Sequence, residues 1–224
     1  MAIRLKPDDA KTHYNLGLVY CEKGFIDNAI EQYQIALRLM PDYVEAHNNL
    51  GNVYYKKGLI DKAIEQYLIA LILKPDDAEA HNNLGLVYCE KGFIDNAIEQ
   101  YQIASRLKPH DPDIWNNKGI ALGELGRYEE SLKDFEKAIK LKPDFANAWN
   151  NKGITLGILG RYESAIKDFE KAIELKPDLV EAHYNLGIVY IDKGELDKAR
   201  KELETALQIN PDYYQARQIL NSIK

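Results

Sequence analysis

"LGLVYCEKGFIDNAIEQYQIA" occupies Leu16 to Ala36 and recurs without a change at Leu84 to Ala104, 68 residues further on. Half of that interval, 34 residues, is the period of the whole chain. Pro7, Pro41, Pro75, Pro109, Pro143, Pro177 and Pro211 are each 34 residues apart, and only Pro112 falls outside the series. Glycine keeps the same interval in two sets: Gly17, Gly51, Gly85, Gly119, Gly153 and Gly187, then Gly24, Gly58, Gly92, Gly126, Gly160 and Gly194. Gly123 and Gly157 alone stand outside both. A fixed period of this length marks a repeat array, in which each unit buries its apolar face only against its neighbours. The unchanged block points to a recent duplication or an engineered join.

Numbered 1 to 34, the units span 10–43, 44–77, 78–111, 112–145, 146–179 and 180–213. Positions 2 to 14 read as one helix, A. The glycine at position 15 suits a left-handed helix stop. An acidic residue at position 18 (Asp27, Asp61, Asp95, Glu129, Glu163, Asp197) opens a second helix, B, where negative charge meets the positive helix end. The proline at position 32 prevents continuation. Each unit is therefore two antiparallel helices of about 13 residues, roughly 20 Å long.

These residues resemble the tetratricopeptide repeat, whose pattern runs W-x2-L-G-x2-Y, then A-x3-F, then A and P. The first unit supplies Leu16, Gly17, Tyr20, Ala29, Tyr33, Ala36 and Pro41. The fourth supplies Trp115, Gly119, Leu122, Ser131, Phe135, Ala138 and Pro143. The sixth supplies Leu186, Gly187, Tyr190, Ala199, Leu203, Ala206 and Pro211. The resemblance covers residues 10 to 213 and implies an all-α, right-handed superhelix whose concave face is lined by A helices. Position 4 departs from the pattern: it is His13, His47, His81 and His183, and tryptophan only at Trp115 and Trp149. Units 4 and 5, with Lys118 and Lys152 at position 7, look like a different subfamily from units 1 to 3.

At about 100° per residue, positions 3, 4, 7, 8, 10, 11 and 14 of helix A share one arc and read as core. Glycine at position 8 costs about 1 kcal/mol against alanine in a helix. Close approach of the partner helix explains it. Positions 2, 5, 6, 9, 12 and 13 share the opposite arc. Position 6 is asparagine in every unit: Asn15, Asn49, Asn83, Asn117, Asn151 and Asn185. Position 5 adds Asn48, Asn82, Asn116 and Asn150, and position 9 supplies Asn52, Leu86, Ile120 and Ile154. An amide carries donors and an acceptor, so a row of them can hold a peptide backbone without reading its side chains. The row is similar to the asparagine ladders of O-linked GlcNAc transferase arms and importin-type solenoids. The alternative is that each asparagine bonds the neighbouring repeat and stabilises stacking.

Function is expected from this surface rather than from catalysis. The leading expectation is a non-enzymatic interaction scaffold that binds an extended peptide or partner segment. Acids at position 2 (Glu45, Glu79, Asp113, Glu181) and position 13 (Glu22, Glu90, Glu124, Asp192) favour a neutral or basic ligand. The clamp that binds acidic chaperone tails needs lysine at positions 5 and 2 and arginine at position 6; here position 5 is Asn or Tyr, position 2 is mostly acidic and position 6 is never arginine, so such tails are not expected as ligands. Alternatives are the substrate-selecting arm of a larger protein such as a glycosyltransferase, and a self-assembling structural module. On helix B, Leu68, Ile69 and Ile72 form an apolar patch suited to self-association, as are open repeat ends. Residues 1–9 read as the tail of an incomplete repeat and 214–224 as a capping or truncated helix, so the chain is expected to be a fragment or to stack end to end.

Other chemistry finds little support. A net charge of −6 argues against nucleic-acid binding. The longest apolar run, Tyr67 to Leu73, is too short to cross a bilayer, and the stretch Met1 to Lys11 has no apolar signal-peptide core. Two cysteines are too few for a disulfide framework, and a cytoplasmic location is the default expectation. The four histidines lie one per repeat, on helices about 8–10 Å apart, too far for one zinc ion. No cofactor or metal is expected. "GIALGELG", Gly119 to Gly126, lacks the spacing and the terminal lysine of a phosphate loop.

Overall fold

Gly58 shows how one helix ends and the next begins. Its φ is 71°, and the equivalent glycine of every repeat lies between 70° and 78°, a region that admits glycine readily and other residues poorly. The turn lets Gly58 N–H donate to the Tyr55 carbonyl and Leu59 N–H to the Tyr54 carbonyl, at 2.8 and 2.9 Å. These two bonds are the Schellman pattern, and they satisfy carbonyls the helix end leaves open. Leu59 is then the N-cap of the following helix, so one residue closes A and opens B. In the first and third repeats the equivalent phenylalanines, Phe25 and Phe93, pack on Tyr20 and Tyr88 with ring centroids 6.2 and 6.3 Å apart.

The structure is a computed structural model that describes residues 9–223. The expected leading tail, 1–9, lies outside them apart from Asp9, as does Lys224. Among the described residues there are thirteen helices and no strand. The A helices are α1 (Ala10–Glu22), α3 (Val44–Lys56), α5 (Ala78–Glu90), α7 (Pro112–Glu124), α9 (Ala146–Ile158) and α11 (Val180–Asp192). The B helices are α2 (Ile26–Leu39), α4 (Ile60–Leu73), α6 (Ile94–Leu107), α8 (Tyr128–Leu141), α10 (Tyr162–Leu175) and α12 (Leu196–Ile209). A shorter helix, α13 (Tyr214–Ser222), follows. Helix A therefore runs over positions 1 to 13, one residue earlier than its sequence pattern suggests.

The chain divides between Pro109 and His110 into two compact units. The first holds α1 to α6, the second α7 to α13. Within each, every A helix packs on its own B helix, and each B helix packs on the A helix that follows. Helix α3 also touches α5, α7 touches α9, and α9 touches α11. The B helices bury positions 20, 24 and 27, one face at i, i+4 and i+7. In the first repeat these are Ala29, Tyr33 and Ala36, all fully buried.

The position-8 glycines are explained by contact. A Cβ on Gly153 would lie 2.7 Å from Cε1 of Phe169, and one on Gly17 would lie 2.5 Å from Cε1 of Tyr33. No alanine fits there without moving a ring that is itself fully buried. The acids at position 18 gain a role beyond the helix end. Asp27 pairs with Lys57, Asp61 with Lys91 at 2.6 Å, Glu129 with Arg161 at 2.6 Å and Glu163 with Lys193 at 3.2 Å, each linking a repeat to the next. Such exposed pairs add little stability individually.

Candidate functional site

The position-6 asparagines reach back one repeat. Asn151 Nδ2 donates to Asn116 Oδ1 at 3.0 Å, Asn185 Nδ2 to Asn150 Oδ1 at 3.1 Å, and Asn49 Nδ2 to the Tyr14 hydroxyl at 2.8 Å. Asn83 Nδ2 instead donates to Asn52 Oδ1 at 3.0 Å. The ladder is thus a set of inter-repeat hydrogen bonds. The stacking role is real, and in Asn49, Asn83, Asn151 and Asn185 it uses one donor of the amide. An amide nitrogen has two donors and its oxygen two lone pairs. Asn151 Oδ1 also accepts from Asn150 Nδ2 at 3.5 Å. One donor and one acceptor site of Asn151 are left over, enough for one backbone N–H and one backbone carbonyl.

Burial separates the two asparagine positions. Asn49, Asn83, Asn117, Asn151 and Asn185 are half-exposed, and Asn15 is exposed. Asn48, Asn116 and Asn150 are only 6–7% exposed. For these three the expected place on the open face is narrowed: neighbouring helices cover most of each side chain, and the remainder opens on polar clefts. A wheel drawn for one helix has two sides, whereas an A helix in a stack also has A-helix neighbours, and position 5 faces them. Asn82 is half-buried. Asn52 has a structural duty as well: its Oδ1 accepts from the Tyr67 hydroxyl at 2.6 Å. A buried hydroxyl needs a partner, and in the second repeat position 9 supplies it.

The aliphatics at position 9 remain available. Ile120 and Ile154 are each 37% exposed, Leu86 is half-buried, and Ile158 at position 13 is 59% exposed. In the second unit these isoleucines border a cleft of about 270 Å³ between α7 and α9, lined by Gly119, Gly123, Phe135 and Asn151. Beside it, Asn147, Asn150, Lys176 and Glu181 line a more polar cleft of about 380 Å³. In the first unit Tyr14, Glu45, Asn49, Asp77 and Glu79 line another, of about 500 Å³. On the B helices Leu68 and Ile72 are 42% and 79% exposed, and Ile69 is half-buried.

The histidines and the buried lysines are interior fittings. His47 bonds Gln66 Oε1 through Nδ1 at 2.8 Å and the Pro41 carbonyl through Nε2 at 3.0 Å, and His81 repeats both contacts. Trp149 Nε1 donates to the Pro143 carbonyl at 3.0 Å in the same role. Where position 4 is tryptophan, position 7 is lysine and position 23 is aspartate. Lys118 Nζ lies 3.1 Å from Asp134 and 4.4 Å from the Trp115 ring centroid; Lys152 lies 3.2 Å from Asp168 and 4.9 Å from Trp149. Burial pushes the Asp134 carboxyl up, and Lys118 opposes that shift. The partners of these lysines are signalled in the sequence by the joint change at positions 7 and 23, which single-position patterns miss.

Comparison with known proteins follows the same lines. A family model described as "TPR repeat" matches residues 17–58, 51–92, 85–126 and 158–194. Models described as "Tetratricopeptide repeat" match 112–145, 180–213 and 135–167. No curated protein matches the chain. Among solved structures, it is similar to YrrB, a TPR protein with an unusual peptide-binding site, at 24% identity and a TM-score of 0.65, over 84% of this chain and 96% of that one. It is similar to PilW, a type IV pilus biogenesis factor, at 21% identity and a TM-score of 0.86, over 94% and 97%. PilF of Pseudomonas aeruginosa is 19% identical with a TM-score of 0.81, over 95% and 97%. At these identities the likeness is one of fold. Among the described residues, no helix is long and apolar enough to cross a membrane.

Proposed function

This chain belongs to the tetratricopeptide repeat family, and from that premise we propose that it is a non-catalytic scaffold holding an extended peptide or partner segment along its A helices. The observation that carries the proposal is the state of the position-6 amides. In Asn49, Asn83, Asn151 and Asn185 one donor is spent on the neighbouring repeat, and the side chain is still half-exposed. The inter-repeat bond fixes the orientation of each amide before a ligand arrives, which reduces the ordering cost of binding. Neighbouring A helices are about 9 Å apart, close to the rise of three residues of extended chain. Exposed position-9 aliphatics beside the amides offer apolar contact. The acids at positions 2 and 13 favour a neutral or basic ligand. YrrB, of the same fold, has a peptide-binding site, in line with this reading.

The test is a peptide array probed with the chain and with a variant carrying Asn83→Ala, Asn117→Ala and Asn151→Ala. The expected result is capture of particular peptides by the parent and at least tenfold weaker capture by the variant, which still unfolds cooperatively. Unchanged affinity together with a large fall in melting temperature would assign the asparagines to stacking alone.

A further inference from the structure

One interior space is filled in the first unit and open in the second. In repeats 1 and 3 the tyrosine hydroxyl at position 24 meets the cysteine at position 12: Tyr33 Oη lies 3.6 Å from Cys21 Sγ, and Tyr101 Oη 3.9 Å from Cys89 Sγ. Repeats 4 and 5 hold phenylalanine and glycine at those positions, Phe135 with Gly123 and Phe169 with Gly157. The hydroxyl and the thiol are both missing, and a notch stands in each place. The first has a volume of about 270 Å³ and the second about 190 Å³. Both are bordered by Ile154 and Ile158.

Packing does not require either glycine. A Cβ on Gly123 would meet only Ser131 Oγ, at 3.5 Å, and one on Gly157 only Val189 Cγ2, at 3.4 Å. Both are ordinary contacts, and neither residue has a positive φ. Glycine inside a helix costs about 1 kcal/mol relative to alanine. The fold gains nothing in return; the open notch is what the glycines provide.

The charged residues on the open arc of the A helices here have one sign. Positions 2, 5, 6, 9, 12 and 13 of α7, α9 and α11 carry Asp113, Glu124, Glu181 and Asp192 and no lysine or arginine. The notches lie toward the C-terminal ends of these helices, which bear partial negative charge. Glu124 borders the first notch and Asp192 the second. Lys176 borders a different cleft.

We propose that the paired notches take two aliphatic side chains, three residues apart, of an extended basic peptide whose lysines or arginines meet Glu124 and Asp192. This rests on the groove reading above and sharpens it to a ligand class. The spacing follows from geometry. Adjacent A helices lie about 9 Å apart. A polyproline II segment rises about 3.1 Å per residue and returns to the same side every third residue, about 9 Å on. Two residues of a β-strand cover only about 6.7 Å.

The test is fluorescence anisotropy with a labelled peptide, Gly-Lys-Leu-Lys-Gly-Leu-Lys-Gly. Three control peptides carry serine for both leucines, leucines two residues apart, or glutamate for every lysine. The full chain is expected to bind the parent peptide saturably and each control at least tenfold more weakly. Gly157→Leu should weaken the parent peptide at least tenfold, and Glu124→Gln with Asp192→Asn several-fold. Gly157→Ala should melt at or above the temperature of the unchanged chain, which keeps the glycine argument testable if the leucine variant folds poorly. Equal binding of the glutamate peptide, indifference to Gly157→Leu, or no binding of the parent peptide would each overturn this inference. The groove reading fails separately, when peptides captured on the array are held equally well by the triple asparagine variant.

Discussion

The side-chain amide of Asn151 donates to the buried oxygen of Asn116 one repeat earlier, at 3.0 Å. The same bond joins Asn185 to Asn150 at 3.1 Å. One side chain therefore aligns a pair of A helices and presents its remaining polar capacity outward. Stability and the proposed recognition meet in it, and a double-mutant cycle isolates the first. Asn151→Ala alone should cost about 1 kcal/mol, the net worth of a typical hydrogen bond. Asn116→Ala should cost a similar amount. Because both remove the same bond, the double variant should cost less than the sum, with a coupling of at least about 0.5 kcal/mol by chemical denaturation. Additive losses would mean that the two amides are not energetically linked.

Two glycines four residues apart on α9 should respond oppositely to the same substitution. Gly153→Ala places a methyl 2.7 Å from Phe169 Cε1 and should destabilise by about 1–3 kcal/mol through overpacking. Gly157→Ala meets nothing closer than 3.4 Å and should stabilise by up to about 1 kcal/mol through helix propensity. Thermal unfolding of the two single variants decides the matter.

The buried Lys118–Asp134 pair should be costly to break and cheap to replace. Lys118→Met leaves Asp134 without its cation in a site where one carboxylate oxygen already has no hydrogen-bond partner. A loss of about 3 kcal/mol is expected. Trp115→His, Lys118→Leu and Asp134→Gln together install the His, Leu and Gln set of repeats 1 to 3. That triple variant should recover most of the loss, because its new groups satisfy one another as His47 and Gln66 do. Equal loss in both variants would contradict the idea of two interchangeable interior sets.

His183 makes stability depend on pH. Its Nδ1 lies 2.7 Å from Glu202 Oε2 and its Nε2 lies 3.1 Å from the Pro177 carbonyl oxygen. Both partners accept, so both ring nitrogens donate when the ring is charged. The Glu202 hydrogen bond holds the imidazole above its ordinary pKa; burial opposes this and the Pro177 carbonyl assists. A raised folded-state value means that the stabilisation is complete below about pH 6.5, the unfolded value. It is lost as pH rises through the folded value. Glu202→Gln should remove this dependence and lower acid-side stability by on the order of 1 kcal/mol, the difference between a charge-assisted and a neutral hydrogen bond. Denaturation midpoints measured between pH 5 and 9 test it, and an unchanged slope in the variant would rule Glu202 out.

Much of the fold was legible because each repeat must solve the same two problems. The glycine at position 15 ends a helix, and the glycine at position 8 lets a ring approach; both needs are written as residue type at fixed spacing. The site was less legible. Asn48, Asn116 and Asn150 share an arc with Asn49, Asn117 and Asn151, and only the packing of one A helix on another sends the first set inward. Asn52 sits on the same arc, and no helix wheel shows that its oxygen also serves the Tyr67 hydroxyl. Gly123 and Gly157 stood outside both glycine series from the start. Their meaning required knowing that Phe135 and Phe169 lack the hydroxyl that elsewhere closes the same space.

The central claim is that peptides lie along the A helices, and methyl NMR of isoleucine-labelled chain tests it most directly. An array-selected peptide should shift the methyls of Ile120, Ile154, Ile158 and Ile188 and leave those of Ile69 and Ile72 on α4 unmoved. Shifts confined to Ile69 and Ile72, or none at saturating peptide, would contradict the account.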